Sequence, residues 1–352
     1  MTVLTQRLGI EHPIIQAPMA GTSTAQLAAQ VSNAGGLGSI AIAAVDASSG
    51  QRMIAETRAL TSAPFNVNVF CHQPSSANAA VEQAWIEHLK PYFDEFGVPA
   101  PSGLKDIYSS FCNNDDQLEV LLTERPAVVS FHLGLPAQSR IDALKAAGIT
   151  LFASATSLEE GLLVEKAGID VIVAQGIEAG GHRGVFDPEQ DQAIGTTALV
   201  RLLVTHTRLP VVAAGGIMDG AGIASVLALG ASAAQLGTAF VLCPESAANP
   251  GYRSMLASER ARTTQVTKVI SGRPARGMVN RFMREVGAAG HPPVPGFGIG
   301  YDAGKQLIAA AAAAGNLEFA AYWAGQGAAL ARELPAAELF ALLVQEYQAA
   351  QR

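Results

Sequence analysis

"DVIVAQGIEAGGHRG" (residues 170–184) joins an apolar run to a loop in which four glycines surround one histidine and one arginine. The run is short, rich in β-branched residues and apolar on both faces. It reads as a strand of a parallel sheet covered on both sides rather than as an amphipathic helix. Upstream lies "LEEGLLVEKAG" (158–168), with helical spacing and a glycine at its end, where helices commonly stop. The same unit recurs outward in both directions. Further strands are read at "PIIQAPM" (13–19), "LGSIAIA" (37–43), "FNVNVF" (65–70), "AVVSFHL" (127–133), "ITLFASA" (149–155), "VVAAGG" (211–216) and "AAQLGTAF" (233–240). Helical segments separate most of them, among them "TAQLAAQVSNAG" (24–35), "QSRIDALKAAG" (138–148) and "DGAGIASVLALG" (219–230). Eight such strands predict an α/β chain folded as a (β/α)8 TIM barrel.

Two segments break the rhythm. Residues 71–116 form an insertion after the third strand, with a helix predicted in "SSANAAVEQAWIEHLKPYFDEF" (75–96) and a Pro/Gly-rich "GVPAPSGL" (97–104). Residues 244–352 outlast a single closing helix. They contain a loop-rich "GHPPVPGFGIGYDAGK" (290–305) and a helical run towards "AELFALLVQEYQAA" (337–350). The division expected is a barrel over 1–243 and an extension over 244–352 that covers the barrel mouth and packs on the barrel. Two separate domains would also fit 352 residues, but no linker parts them.

Composition narrows the function. Formal charge is -7, charged residues are 15% and no basic cluster occurs, which argues against nucleic acid. Cys71, Cys112 and Cys243 form no CxxC pair and no zinc pattern. The start lacks the basic and apolar regions of a signal peptide, and no window has the roughly 18 apolar residues of a membrane span. The expectation is a cytoplasmic protein off the membrane, monomer or homodimer, with mostly structural thiols.

Active sites of such barrels lie at the C-terminal ends of the strands. Those ends are polar or glycine-rich here. Asn66 and Asn68 share a face of the third strand, with Asn68 nearer the mouth. An asparagine deep in an apolar strand suits a ligand contact better than a turn, and Gln175 at the end of the sixth strand invites the same reading. Gly215 and Gly216 in "AAGGI" (213–217), and Gln235, Gly237 and Thr238 in "QLGT" (235–238), close the last two strands. The loops there are the usual phosphate site of the fold. The glycines of "SNAGGLG" (32–38) follow a helix instead of a strand, so they fit a helix end rather than a dinucleotide fingerprint. A cofactor with both a phosphate and a flat polar ring explains Asn68, Gln175 and the two glycine loops together. Flavin mononucleotide (FMN) is such a molecule, with Pro18, Met19 and Ala20 as an apolar wall beside its ring.

His182 sits in a mobile-looking loop beside that ring. With an ordinary pKa of roughly 6.5 it serves as a neutral base, or as a donor to an anionic oxygen. Arg183 either faces the ligand or pairs with a neighbour such as Glu178. His132 either flanks the pocket or is structural. His12, His72 and His291 have no metal spacing, and His88 and His206 read as helix-surface residues. Tyr301 and Lys305 stand four apart, on one side of a predicted helix, suited to orienting an anion. Tyr108 is a further candidate, and "YWAGQG" (322–327) packs a lid or borders the cofactor.

"QAPMAG", "VSNAGGLGS", "DVIVAQGIEAGGHRG", "AAGGI", "QLGTAF" and "WAGQG" together resemble the nitronate monooxygenase family, of the bacterial class I type. The resemblance covers about residues 10–327. "AQGIEAGGHRG" is its most specific part, whereas "AAGGI" and "QLGT" are shared with other flavin barrels. It implies FMN held without a covalent bond, and oxidation of alkyl nitronates by O2 to a carbonyl compound and nitrite through one-electron transfer to the flavin. Propionate 3-nitronate is the substrate it suggests. It implies that Ala17, Pro18, Met19, Asn68, Gln175, Gly180, Gly215, Gly216, Gln235, Gly237 and Thr238 meet the cofactor. His182 matches the family's active-site histidine, while Tyr108, Tyr301 and Lys305 match its substrate pocket and His132 is placed with them. Phe297 stands where some relatives carry a further tyrosine. Two rivals stay open on residues alone. One is an NAD(P)H-dependent flavin reductase of quinones or enoyl thioesters; the other is a binding barrel without turnover.

Overall fold

The computed structural model describes residues 2–351. Eight parallel strands form the barrel: β1 (Ile14–Gln16), β2 (Gly38–Ala41), β3 (Phe65–Phe70), β4 (Val128–His132), β5 (Thr150–Ala155), β6 (Val171–Gln175), β8 (Val211–Ala214) and β9 (Ala233–Leu236). The two-residue strand β7 (Gly181–His182) lies outside it and pairs with β11 (Ala275–Met278), which pairs in turn with β10 (Thr264–Thr267). The barrel order is β1-β9-β8-β6-β5-β4-β3-β2. Pairing of Ile15 with Leu37, and a hydrogen bond from Gln16 N–H to Leu37 O at 3.0 Å, close β1 onto β2.

The period of two along each strand sorts residues between two cores. Ile172, Ala174, Val129, Phe131, Val67 and Val69 pack with the surrounding helices. Val128, Phe152, Val171, Val173, Val212 and Ala233 form a separate inner cluster. Leu4 and Leu8, from helix Val3–Leu8, join that cluster and plug one end of the barrel. Burying each such Val or Leu contributes about 1.5–3 kcal/mol. Continued towards the C-terminal ends, the inner alternation reaches Asn68, His132, Ser154, Gln175 and Gln235. The interior is therefore apolar at the plugged end and polar at the mouth.

Barrel helices follow the strands at Ala25–Asn33, Ala47–Leu60, Asp115–Glu124, Gln138–Ala146, Leu158–Lys166, Thr196–His206, Gly220–Ala228 and Ala336–Ala350. The last packs between helices Gly220–Ala228 and Ala25–Asn33 and so completes the ring. A side chain at Gly36 would overlap Phe340, and one at Gly220 would overlap the backbone at Tyr347. The two glycines are what let this helix seat. The segment after β9 is thus a long insertion into the last β–α connection, and residues 336–350 return to the barrel. Within the extension expected over 244–352, it is this last helix that packs on the barrel.

Two strand ends and one loop also differ from expectation. β1 ends at Gln16, and β9 ends at Leu236, with a 3-10 turn at Thr238–Phe240 taking over. The loop carrying His182 is not loose: its pairing of His182 with Ala275 and Gly181 with Arg276 ties it to the late insertion. The helix expected in the 71–116 insertion is present as Ala79–Glu95, and its Trp85, Leu89 and Phe93 pack with Phe282, Leu307 and Phe319 from the later insertion. No helix of the described residues is long and apolar enough to cross a membrane.

Candidate active site

A cavity of about 520 Å³ opens at the C-terminal ends of the strands. It is lined by every residue singled out from the sequence for cofactor, substrate or catalysis: Ala17, Pro18, Met19, Asn68, Tyr108, His132, Gln175, Gly180, His182, Gly215, Gly216, Gln235, Gly237, Thr238, Tyr301 and Lys305. The structure brings them together from the ends of six barrel strands, both insertions and the β6 loop.

The polar groups at the mouth are largely fixed by each other. Asn68 Nδ2 donates to Ser130 O at 3.0 Å and to Ser130 Oγ at 2.9 Å, which leaves its Oδ1 as a free acceptor. Gln175 Oε1 accepts from Gly184 N–H at 2.6 Å and from Arg183 Nη1 at 3.2 Å. Gln175 Nε2 donates to His182 O at 3.0 Å and retains one N–H. His132 has a different task from the substrate contact expected of it. Its Nε2 donates to His182 O at 3.1 Å, so its Nδ1 accepts from Ser154 Oγ–H at 2.8 Å. With both ring nitrogens engaged, it holds the backbone of His182. Burial pushes its pKa down to about 4 and keeps it neutral.

Arg183 is fully buried and its partner is Asp191, not Glu178. Nε and Nη2 reach the two carboxylate oxygens at 2.7 and 3.1 Å, while Nη1 donates to Gln175 O and Gly176 O. It braces the β6 loop from behind. Glu178 instead caps helix Thr196–His206, accepting from Thr196 N–H at 2.9 Å and Thr196 Oγ1 at 2.8 Å. Gly180 has a packing reason. A Cβ there would lie 2.6 Å from Ala324 C and from Gly325 N, where the "WAGQG" segment crosses. That crossing is held by Gln326 N–H to Glu178 O at 2.9 Å and Gly325 N–H to Thr238 Oγ1 at 3.0 Å.

Gly215 and Gly216 have φ of 131° and 70°, which other residues rarely adopt. Among the described residues no protein acceptor meets the backbone N–H groups of Gly215, Gly216, Gly237 or Thr238. Orphan amides around a rim suit an anionic group. With the free Asn68 Oδ1 and the remaining Gln175 N–H, this donor and acceptor set fits a phosphate joined to a flat polar ring.

His182 stands opposite, in a box of aromatic rings. Its ring centroid lies 5.1 Å from Phe297, 5.4 Å from Trp323 and 5.8 Å from Tyr301. Burial pushes its pKa down to about 3, and His132, Arg273 and His72 nearby push the same way. The resting imidazole is neutral, so it is not the cation of the pocket. That cation is Lys305. Its Nζ sits 4.8 Å from the Tyr108 ring centre and 5.3 Å from that of Tyr301, and it forms no ion pair among the described residues. Tyr301 and Lys305 share one side of helix Ile299–Ala313, as their spacing predicts. Burial pushes both phenols up to about 12, so they stay protonated donors.

Sequence reasoning missed Tyr252, Ser271 and Arg273, and gave Trp323 no specific role. Tyr252 lines the cavity and donates its hydroxyl to Trp323 O. Tyr252, Ser271 and Arg273 sit in no local motif, whereas Trp323 lies in the quoted "WAGQG"; each is brought in by the fold of the late insertion.

An eight-stranded barrel with convergent polar groups, a neutral imidazole and a lysine–phenol pair at its C-terminal mouth defines an enzyme of the (β/α)8 barrel class. A family model described as nitronate monooxygenase matches residues 1–346. The nitronate monooxygenase of Pseudomonas aeruginosa is 60% identical over 343 residues, 97% of this chain and 98% of that one. The crystal structure of a nitroalkane oxidase from Streptomyces ansochromogenes superposes with a TM-score of 0.89 at 40% identity, covering 99% of this chain and 98% of that chain. FabK from Thermotoga maritima follows with a TM-score of 0.76 at 31% identity, covering 100% and 97%. The chain belongs to the nitronate monooxygenase family.

Proposed function

We propose that the protein binds FMN at the barrel mouth and oxidises alkyl nitronates with O2 to a carbonyl compound and nitrite. Propionate 3-nitronate is the proposed substrate. The observation that carries this reading is the unpaired Lys305 ammonium, held over two phenol rings within the same box as His182. A nitronate is already an anion, and an unpaired cation beside protonated hydroxyls is what an anion needs on leaving water. FMN, when bound, supplies one-electron acceptance from the nitronate and the link to O2.

The chain's own residues do the rest. The amides of Gly215, Gly216, Gly237 and Thr238 hold the phosphate. Asn68 Oδ1 and the free Gln175 N–H meet the ring edge, and Ala17, Pro18 and Met19 wall one side of it. Lys305, Tyr108 and Tyr301 hold the anion, and Phe297 and Trp323 exclude water from it. His182 contributes a neutral imidazole, a proton acceptor where a neutral nitroalkane enters. The free thiols of Cys71, Cys112 and Cys243 suit a reducing, cytoplasmic setting.

The test is the purified holoprotein with propionate 3-nitronate, scoring nitrite release and O2 uptake together, with the released cofactor identified by mass spectrometry. Equal nitrite and O2 with FMN recovered supports the reading. Rapid anaerobic bleaching by NAD(P)H, with no turnover of nitronate, favours the reductase instead.

A further inference from the structure

We propose that Ser271 is a positioning residue that fixes His182 as its Nε2–H tautomer, so that the Nδ1 lone pair is the atom His182 presents to the cavity. The inference rests on the reading of this cavity as a nitronate and nitroalkane site. It follows from a short chain of hydrogen bonds ending on an atom with only one role. Ser271 Oγ lies 3.1 Å from Arg273 O and 2.9 Å from His182 Nε2. A carbonyl oxygen accepts and never donates, so the single Ser271 proton is directed to Arg273 O. Ser271 Oγ then has only lone pairs to offer, and His182 Nε2 must be the donor. Ser271 is fully buried, so no water competes for either bond. The remaining nitrogen, Nδ1, has no hydrogen-bond partner in the protein and is not among the buried unpaired polar atoms; the ring lines the cavity.

The rest of the surroundings agree. The backbone of His182 is pinned by Gln175 and His132 on its carbonyl and by pairing with Ala275 in the small sheet. Rotation of the ring is therefore the main remaining freedom, and the Ser271 bond removes it. The titratable and charged groups facing the ring are His132 from β4, His72 from the segment after β3, Arg273 from the same turn as Ser271, and Tyr301 from helix Ile299–Ala313. None is a carboxylate, so nothing there favours the doubly protonated ring.

The consequence is a division between substrates. For a neutral nitroalkane, the C–H bond beside the nitro group breaks, its proton goes to His182 Nδ1 and its electron pair remains as the nitronate. The imidazole becomes imidazolium, still donating to Ser271. A preformed nitronate needs no such step. Without Ser271 the Nε2–H is buried without an acceptor. The tautomer then shifts towards Nδ1–H, which cannot take the proton.

The experiment uses holoprotein labelled with 15N-histidine, with Ser271→Ala and Ser271→Thr variants. In the wild type at neutral pH, the His182 Nδ1 resonance is expected in the unprotonated range and Nε2 in the protonated range. Ser271→Ala should move Nδ1 towards the protonated range. It should also lower kcat/KM for a neutral nitroalkane by about ten-fold or more, with less than two-fold change for the preformed nitronate. Ser271→Thr, which keeps the hydroxyl, should restore both. A protonated Nδ1 in the wild type, an unmoved spectrum in Ser271→Ala, or an equal loss on both substrates overturns the proposal. If Ser271→Ala does not fold, the wild-type spectrum and Ser271→Thr decide it. A wild type that turns over no nitronate defeats the reading of the cavity and leaves the tautomer measurement intact.

Discussion

Replacing Lys305 by methionine keeps the length and most of the apolar stem but removes the charge. Its Nζ lies about 5 Å from two phenol rings, so an anion resting against those rings sits at a similar distance. Two unit charges about 5 Å apart interact by roughly 3 kcal/mol at an effective dielectric of about 20, and by under about 1 kcal/mol in bulk water. Lys305 is itself solvent-exposed, so the interaction falls between these limits. About 1–3 kcal/mol corresponds to roughly five- to 150-fold in affinity. The loss should appear as a raised KM for nitronates with kcat little changed, because the charge attracts bound anion and transition state alike. A neutral nitroalkane of equal size should bind both proteins equally, and added salt should narrow the gap for the nitronate. Steady-state nitrite release over a range of nitronate concentrations at two ionic strengths measures all of this. An unchanged nitronate KM in Lys305→Met, at low salt, would falsify the assignment of Lys305 as the pocket's cation.

Gly180→Ala places a methyl 2.6 Å from the backbone of Ala324 and Gly325. Overpacking of this kind costs about 1–3 kcal/mol, so a lower Tm and weaker retention of cofactor on dilution are expected. Arg183→Met leaves Asp191 and the carbonyls of Gln175 and Gly176 without their donor. A cost of about 3–5 kcal/mol is expected, read from denaturant midpoints, whereas a surface-like loss below about 1 kcal/mol would show that Arg183 is not the brace of this loop. Acid should destabilise the fold early. His182 and His132 have pKa values lowered to about 3 and about 4, below the ordinary 6.5. The unfolded chain therefore takes up protons that the native one refuses as pH falls below 6.5. Each such histidine costs up to about 1.4 kcal/mol per pH unit until its own folded value is reached. His132→Gln should flatten part of that slope between pH 6.5 and 4, as followed by chemical unfolding at each pH.

The barrel was legible because its signals are local. A strand such as β6 is apolar on both faces and ends at glycine, and eight repeats of that unit leave few alternatives. The polar ends of the inner alternation were legible for the same reason: Asn68 and Gln175 break an apolar run at a fixed parity. What was not legible depends on long-range packing. His132 and His182 differ in role because both ring nitrogens of His132 are bonded, to Ser154 and a carbonyl, while His182 is bonded to Ser271 through Nε2 alone and keeps Nδ1 for the cavity; none of these partners is near in sequence. Arg183 looked equally able to pair with Glu178. The fold turns Glu178 towards the helix at Thr196 and brings Asp191 round instead. The return of residues 336–350 to the barrel was hidden because its cause is two glycines, Gly36 and Gly220, more than a hundred residues upstream.

The placement of the late insertion ties cofactor site and substrate site into one unit. The chain leaves β9 at the proposed phosphate turn, lays Tyr252, Ser271, Phe297, Tyr301, Lys305 and Trp323 around His182, and only then closes the barrel with its last helix. Gly325 N–H binds Thr238 Oγ1, Gln326 N–H binds Glu178 O in the β6 loop, and Gly327 lies against Gly216 O, so the same segment that carries Trp323 also touches both glycine loops. An order imposed on those loops by a bound anion therefore reaches the wall beside His182 through two hydrogen bonds and the Gly180–Ala324 contact. Local openings of a protein follow its contiguous packed units. Amide exchange at Gly325 and Gln326 should therefore slow together with exchange at Gly216 and Gly237 when inorganic phosphate or cofactor is added, while exchange in helix Ala47–Leu60, which packs against helices Ala25–Asn33 and Asp115–Glu124 on the outside of the barrel, stays as it was.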